Sequence, residues 1–294
     1  MLIDKLMEKN LISPPRWMRN NVQYLTQMGS VAYGCSIDTS DVDLYGFCIP
    51  ERDMIFSHLR GEINGFGSQK KRFDSWQQHH VKDGEKEYDF QIFSIVRYFH
   101  LCMENNPNCI DALFVPQNCI IHSTAIGNLM REHRREFLHK GCWPKLRGYS
   151  FSQMHKMTIK NPEPGSKRYE DVQKYGWDRK FGLHVVRLLL QAEQILTLGD
   201  LDLQRDREIL KAIRRGEWTE KDVKDFFAAK EKDMERIYNE SKLPWGPDEP
   251  KIKELLLNCL EMHYGNLDNC ITIPGKYQNA LQQIADICHN AGIH

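Results

Sequence analysis

The chain has 294 residues, 41% of them hydrophobic, and its 40 Lys and Arg balance 40 Asp and Glu. That is enough apolar material for one large or two modest domains without covalent staples, and two are expected. Zero formal charge excludes a globally basic nucleic-acid or membrane binder, so any basic surface must be local.

The nine cysteines are scattered, with no Cys-x-x-Cys pair or zinc-like spacing, and fit a reducing cytoplasm. The N-terminus, MLIDKLMEKNLISPPRWM, mixes acidic with apolar residues and soon meets prolines, unlike a secretory signal. The longest strongly apolar run, Val185 to Leu190, contains Arg187 and is too short to span a bilayer. A soluble chain with no membrane partner is expected.

Strand signals open the chain. Val22 to Met28 and Val42 to Ile49 read as strands, joined by a short helical turn from Ser30 and a polar loop, Cys35 to Ser40. Asp83-Gly84 marks a hairpin between Ser75 to Val81 and Glu85 to Phe93. In the second of these strands Tyr88, Phe90 and Ile92 alternate with Glu87, Asp89 and Gln91, giving one apolar and one polar face. A helix over Ser94 to Glu104 follows, with Ile95, Val96, Phe99 and Met103 as its buried stripe, stopped by Asn105-Asn106-Pro107.

Beyond Ser123 nearly everything reads as helix and loop, which places the domain boundary at 122/123. The expected fold is α/β (α+β): a small mixed sheet backed by helices over 1–122, then a mainly helical domain over 123–294. Thr219 and Asp222 form a capping pair at one helix start. Pro244 to Pro250 breaks the chain before a helix over Lys251 to Met262, and a last helix is expected over Tyr277 to His289.

Gly29-Ser30 leaves the first strand at a helix start, where backbone N–H groups and a hydroxyl favour phosphate oxygens. After ten intervening residues Asp41-Val42-Asp43 opens a strand, so the two carboxylates project from one face and repel unless a cation sits between them. Mg²⁺ prefers an octahedral shell of hard oxygens. Asp89, on the polar face of its strand, is the natural third ligand, and Glu87 is the fallback. His79 and His80 face opposite sides of one strand and receive no role. Three carboxylates allow two Mg²⁺ ions, with NTP as substrate: an acceptor hydroxyl attacks the α-phosphate and pyrophosphate leaves.

In the helix after Tyr175, Lys180, His184, Arg187, Gln191 and Gln194 recur at i, i+4, i+7, i+11 and i+14, a narrow polar stripe on an otherwise apolar surface. Such a stripe either meets internal partners or lines a cavity. It is expected to face the carboxylates, with Lys180 and Arg187 on phosphates and His184 orienting them. From Arg131 to Arg187, fourteen Lys and Arg stand against six Asp and Glu, a net of +8, interleaved with Trp143, Tyr149, Phe151, Tyr169, Tyr175 and Trp177. Cations with aromatic platforms suit a single-stranded nucleic-acid end, although mixed charge is also ordinary on solvated helices.

With Gly29-Ser30, Asp41-x-Asp43 and Asp89, the chain resembles the DNA polymerase β superfamily of nucleotidyltransferases. More narrowly, it is similar to bacterial and phage nucleotidyltransferases associated with RNA repair, through the blocks GSVAYGCSIDTSDVDLYGF, DFQIFSIVRYFHLCMENNPNCIDALF, YGWDRKFGLHVVRLLLQAEQIL and REILKAIRRGEW. The second block carries Asp111 where a Glu is expected, a difference that concerns packing. Residues after about Tyr264 match nothing in that pattern. The resemblance implies a small mixed sheet backed by helices, two Mg²⁺ ions and NTP, and leaves base and acceptor open.

Three functions follow as expectations. The first is a Mg²⁺-dependent nucleotidyltransferase acting on an RNA end, tRNA among the candidates. The second keeps the chemistry but adenylylates a protein or small molecule. The third is a catalytically silent nucleotide or nucleic-acid binding module, against which the intact carboxylates argue.

Overall fold

The structure is a computed structural model that describes residues 1–36, 41–56, 72–159, 162, 164–165, 167–265 and 284. A five-stranded mixed sheet has the order β3-β4-β2-β1-β5, with β1 Val22–Gln27, β2 Val42–Cys48, β3 Ser75–Asp83, β4 Lys86–Ser94 and β5 Ile120–Ser123. β1 runs antiparallel to β2 and β5, β3 antiparallel to β4, and β2 parallel to β4. Alternation sorts the strands' faces: Leu44, Phe90 and Ile92 are fully buried with Leu25. Gly46 permits close pairing of β2 with β1, since a Cβ there would lie 2.0 Å from the Tyr24 carbonyl oxygen.

The helices are α1 Leu2–Glu8, α2 Gly29–Ala32, α3 Arg52–Ile55, α4 Ile95–Met103, α5 Pro107–Phe114, α6 Ala125–Glu132, α7 Cys142–Ile159, α8 Lys167–Tyr175, α9 Arg179–Leu198, α10 Arg207–Arg215, α11 Glu220–Glu240 and α12 Glu249–Tyr264. The Ser94 hydroxyl caps α4 by accepting from the Arg97 N–H at 3.2 Å. Asn106 caps α5, and Pro107 stands at its first position, so the signal that stops one helix starts the next. Thr219 and Asp222 form the expected reciprocal capping box of α11.

α9 begins at Asp178, whose carboxylate accepts from the Phe181 N–H at 3.2 Å, and ends at Gly199 in the left-handed region. It packs against α7, α10 and α11, which accounts for its nearly all-round apolar surface. Two compact units divide the chain, Met1–Leu256 and Leu257–His294. Of the helix expected over Tyr277 to His289, only Ile284 is among the described residues, and the loop residues 37–40 lie outside them. No described helix is long and apolar enough to cross a membrane.

Candidate active site

The centre of the site is set by strand register. Asp43 in β2 is the direct parallel partner of Asp89 in β4, and adjacent strands lie about 4.8 Å apart. Asp41, exposed just before β2, is two residues from Asp43. The Met28 N–H donates to the Asp43 carbonyl at 2.7 Å, extending the pairing of β1 past its end. Gly29 then turns at φ +67°, and a Cβ there would stand 2.1 Å from Asp43 Oδ2. Only glycine satisfies both the left-handed backbone and the lack of space. Ser30 follows, half-buried in α2.

Electrostatics tie these groups together. Burial pushes the Asp43 carboxyl above its ordinary value, repulsion from Asp89 and Asp41 adds to it, and Lys180 and His79 pull it back. Three carboxylates and the exposed Lys180 at the start of α9 therefore act on one another.

His79 and His80 do not flank an even strand. The β3–β4 register shifts between Gln78 and Val81, and His80 adopts φ +56°. This bulge aims the His80 backbone N–H at Asp89 Oδ1, 2.8 Å away, and leaves His79 Nδ1 at 3.5 Å from the same oxygen. Glu87, the fallback ligand, is held instead by His80 Nδ1 at 2.5 Å. The histidines given no role thus steer both acids.

The polar stripe of α9 divides. His184 is held well below the ordinary imidazole range by burial and then by Arg187, Lys180, Arg168 and Arg214, so it is neutral at pH 7. Arg168 and Arg214, from α8 and α10, were not foreseen. Arg168 is paired with Asp178 at 2.9 Å, and Arg214 donates to the Cys35 carbonyl. A signal for Arg214 exists in the sequence: it follows Leu210 by four residues, next to the buried Leu210 and Ile213 stripe of α10.

Arg187 corrects the expectation that it meets phosphate. Its Nη1 donates to Asp111 Oδ2 at 2.6 Å, to the Tyr33 hydroxyl at 2.7 Å and to Gln191 Oε1 at 3.2 Å. Tyr33 and Gln191 also donate to Asp111. Arg187 is 8% and Asp111 2% exposed. Burial raises the Asp111 carboxyl against the pull of Arg187. The physical reason is that a buried guanidinium needs a carboxylate, and α5 supplies one. Gln194 likewise turns inward, donating to Asp206 at 2.9 Å.

Among the described residues, no three His, Cys, Asp or Glu side chains are gathered into a ligand shell for a metal. The donor chemistry of Asp41, Asp43 and Asp89 nevertheless suits a hard divalent cation, which would relieve the repulsion felt by Asp43.

Residues 6–245 match the model of RlaP, the RNA repair pathway DNA polymerase beta family. The chain belongs to that family. This RNA repair pathway polymerase beta family member is a polymerase β-type nucleotidyltransferase, and the four sequence blocks quoted above all fall within the matched residues. A solved structure, a nucleotidyltransferase-like protein from Exiguobacterium sibiricum 255-15, aligns over 98% of this chain and 90% of its own at 11% identity, with a TM-score of 0.28. No curated protein is detectably similar.

Proposed function

We propose that the protein transfers a nucleoside monophosphate from an NTP to a hydroxyl at an RNA end, tRNA among the candidates, in a Mg²⁺-dependent reaction. The observation that carries this reading is the in-register pair Asp43 and Asp89, with Asp41 and Lys180 acting on the same carboxyl. The acceptor oxygen bonds to the α-phosphorus while the bond to the β-phosphate oxygen breaks, and pyrophosphate leaves. Asp89 takes the hydroxyl proton. Two Mg²⁺ ions held by Asp41, Asp43 and Asp89 would supply charge neutralisation and a more acidic acceptor hydroxyl.

On this reading residues 1–122 form the catalytic domain, and the helical portion from residue 123 completes the cleft and binds substrate. Gly29 and Ser30 cradle the β- and γ-phosphates. Lys180 binds them as a cation, and neutral His184 orients them by hydrogen bonding. Arg168 and Arg214 raise the local positive potential. Tyr149 and Phe151 on α7, 40% and 61% exposed, offer stacking surfaces to an RNA strand. The buried free cysteines among the described residues suit the reducing cytoplasm.

The experiment is incubation with each labelled NTP, Mg²⁺, and total RNA, DNA or protein. Label on RNA that is lost in Asp41→Asn and Asp43→Asn, with the fold intact by circular dichroism, supports the reading. Retained transfer in those variants refutes the metal assignment, and label on protein moves the acceptor.

A further inference from the structure

We propose that a cleft away from the carboxylates, between the α5–β5 connection, the end of α6 and the loop from α9 to α10, is a second anion site that takes a phosphate group. It encloses about 250 Å³ and is lined by Phe114, Pro116, Arg131, Arg134, Asp202 and Gln204, among others.

The two arginines carry the argument. Arg131 donates to the Tyr24 hydroxyl at 2.9 Å and to the Val115 carbonyl at 3.0 Å, and Arg134 donates through Nη1 to the Arg131 carbonyl at 2.5 Å. All these acceptors are neutral, and neither guanidinium has an ion-pair partner among the described residues. The adjacent Arg135 behaves differently, since Asp200 neutralises it at 2.6 Å. Arg134 Nε is buried with no hydrogen-bond partner, and an unsatisfied N–H on a charged group is costly. Burial, then Arg135 and Arg131, lower the Arg134 pKa.

Capping of α6 accounts for Arg134 Nη1, which meets a carbonyl of the last turn. The guanidinium also lies over the Phe114 ring, 5.1 Å from its centroid, which still leaves Nε without a hydrogen-bond acceptor and three arginines crowded together. A guanidinium pair facing one space matches a tetrahedral oxyanion through forked hydrogen bonds. The volume is below the roughly 300 Å³ at which small-molecule pockets begin, so a phosphate group fits with only part of its carrier, the latter against Phe114 and Pro116. Asp202 is the acid in the lining, and its Oδ1 already accepts from the Gln204 N–H at 2.9 Å.

The phosphate can come from a small molecule or from an RNA strand, so the full chain is titrated with inorganic pyrophosphate and with a 5′-phosphorylated single-stranded RNA oligonucleotide. Arg134→Gln is expected to weaken at least one probe about tenfold, the loss of one charge-assisted contact. Loss for pyrophosphate assigns a small ligand, and loss for RNA alone assigns the strand. Arg135→Gln should change neither. Unchanged affinity for both probes in Arg134→Gln overturns the site. If that variant does not fold, Arg134→Lys is decisive: it keeps the charge but not the fork, and affinities equal to wild type overturn the site. Lys180→Gln separately reports on the phosphate seat beside the carboxylates, so the two readings fail independently.

Discussion

The buried pair Arg187 and Asp111 offers the sharpest test, because its two conceivable duties predict opposite results. At an effective dielectric of about 20 and charge centres about 4 Å apart, the attraction is worth about 4 kcal/mol. Asp111→Leu removes the carboxylate but leaves the guanidinium buried, and stranding one partner in this way costs about 3–5 kcal/mol. Tyr33 and Gln191 lose their acceptor at the same time. Against a total stability of about 5–15 kcal/mol, that is at least about a fifth of what holds the chain folded.

Arg187→Met should cost a similar amount, whereas the double variant Asp111→Leu with Arg187→Met should recover most of it, since a well-packed apolar pair often replaces a buried ion pair without loss. Urea denaturation of the full chain, followed by circular dichroism across the four-member cycle, measures the coupling. NTP transfer per folded molecule is read in parallel. Single variants that lose less than about 1 kcal/mol refute the brace. A stable double variant that has lost transfer shows that the pair serves the site, directly or through the placement of α9, as well as the fold.

Three other outcomes are expected. Asp43 holds its proton to higher pH when folded than its ordinary 3.8, so its contribution is fully present below that value and is lost as pH rises through the raised value. Asp43→Asn should therefore have a higher urea midpoint than wild type at pH 7, converging below about pH 4, while abolishing transfer; midpoints equal at every pH would refute the strained carboxyl. Gly29→Ala should cost about 1–2 kcal/mol in backbone strain and lower transfer about a hundredfold by displacing the Asp43 carboxylate, measured by denaturation and by turnover. Thr219→Ala should cost about 1 kcal/mol of stability through the lost α11 cap and leave transfer unchanged.

The elements nearest the carboxylates were legible because their signals are local. Alternation marked β2 and β4, Asp83-Gly84 marked the hairpin, Ser94 and Thr219 marked helix starts, and Asn105-Asn106-Pro107 marked the end of α4, though not that Asn106 opens α5. β5 was not legible. Ile120–Ser123 is four residues at the sheet edge, too short to establish a period, and it exists as a strand because β1 pairs with it. The bulge at His79 and His80 depends on how β3 meets β4 and has no signature within β3. Spacing on α9 identified a polar stripe correctly but not what each side chain meets. Arg187 finds Asp111 across 76 positions of sequence, and the unexpected aspartate in that block is the packing partner.

α9 has a consequence for how the interior and the site communicate. Lys180 and Arg187 are seven residues apart on one helix, roughly 10 Å at about 1.5 Å per residue. The helix is pinned near its middle by the Arg187 ion pair and braced by α7, α10 and α11, so it acts as a lever whose fulcrum lies in the core. A tilt of about 5° at that fulcrum would swing the Lys180 backbone by roughly 1 Å, comparable to the misplacement that lowers an enzyme's rate about a hundredfold. Substitutions that touch no substrate, made around Asp111 or Tyr33, can therefore set the reach of the cation that faces the carboxylates.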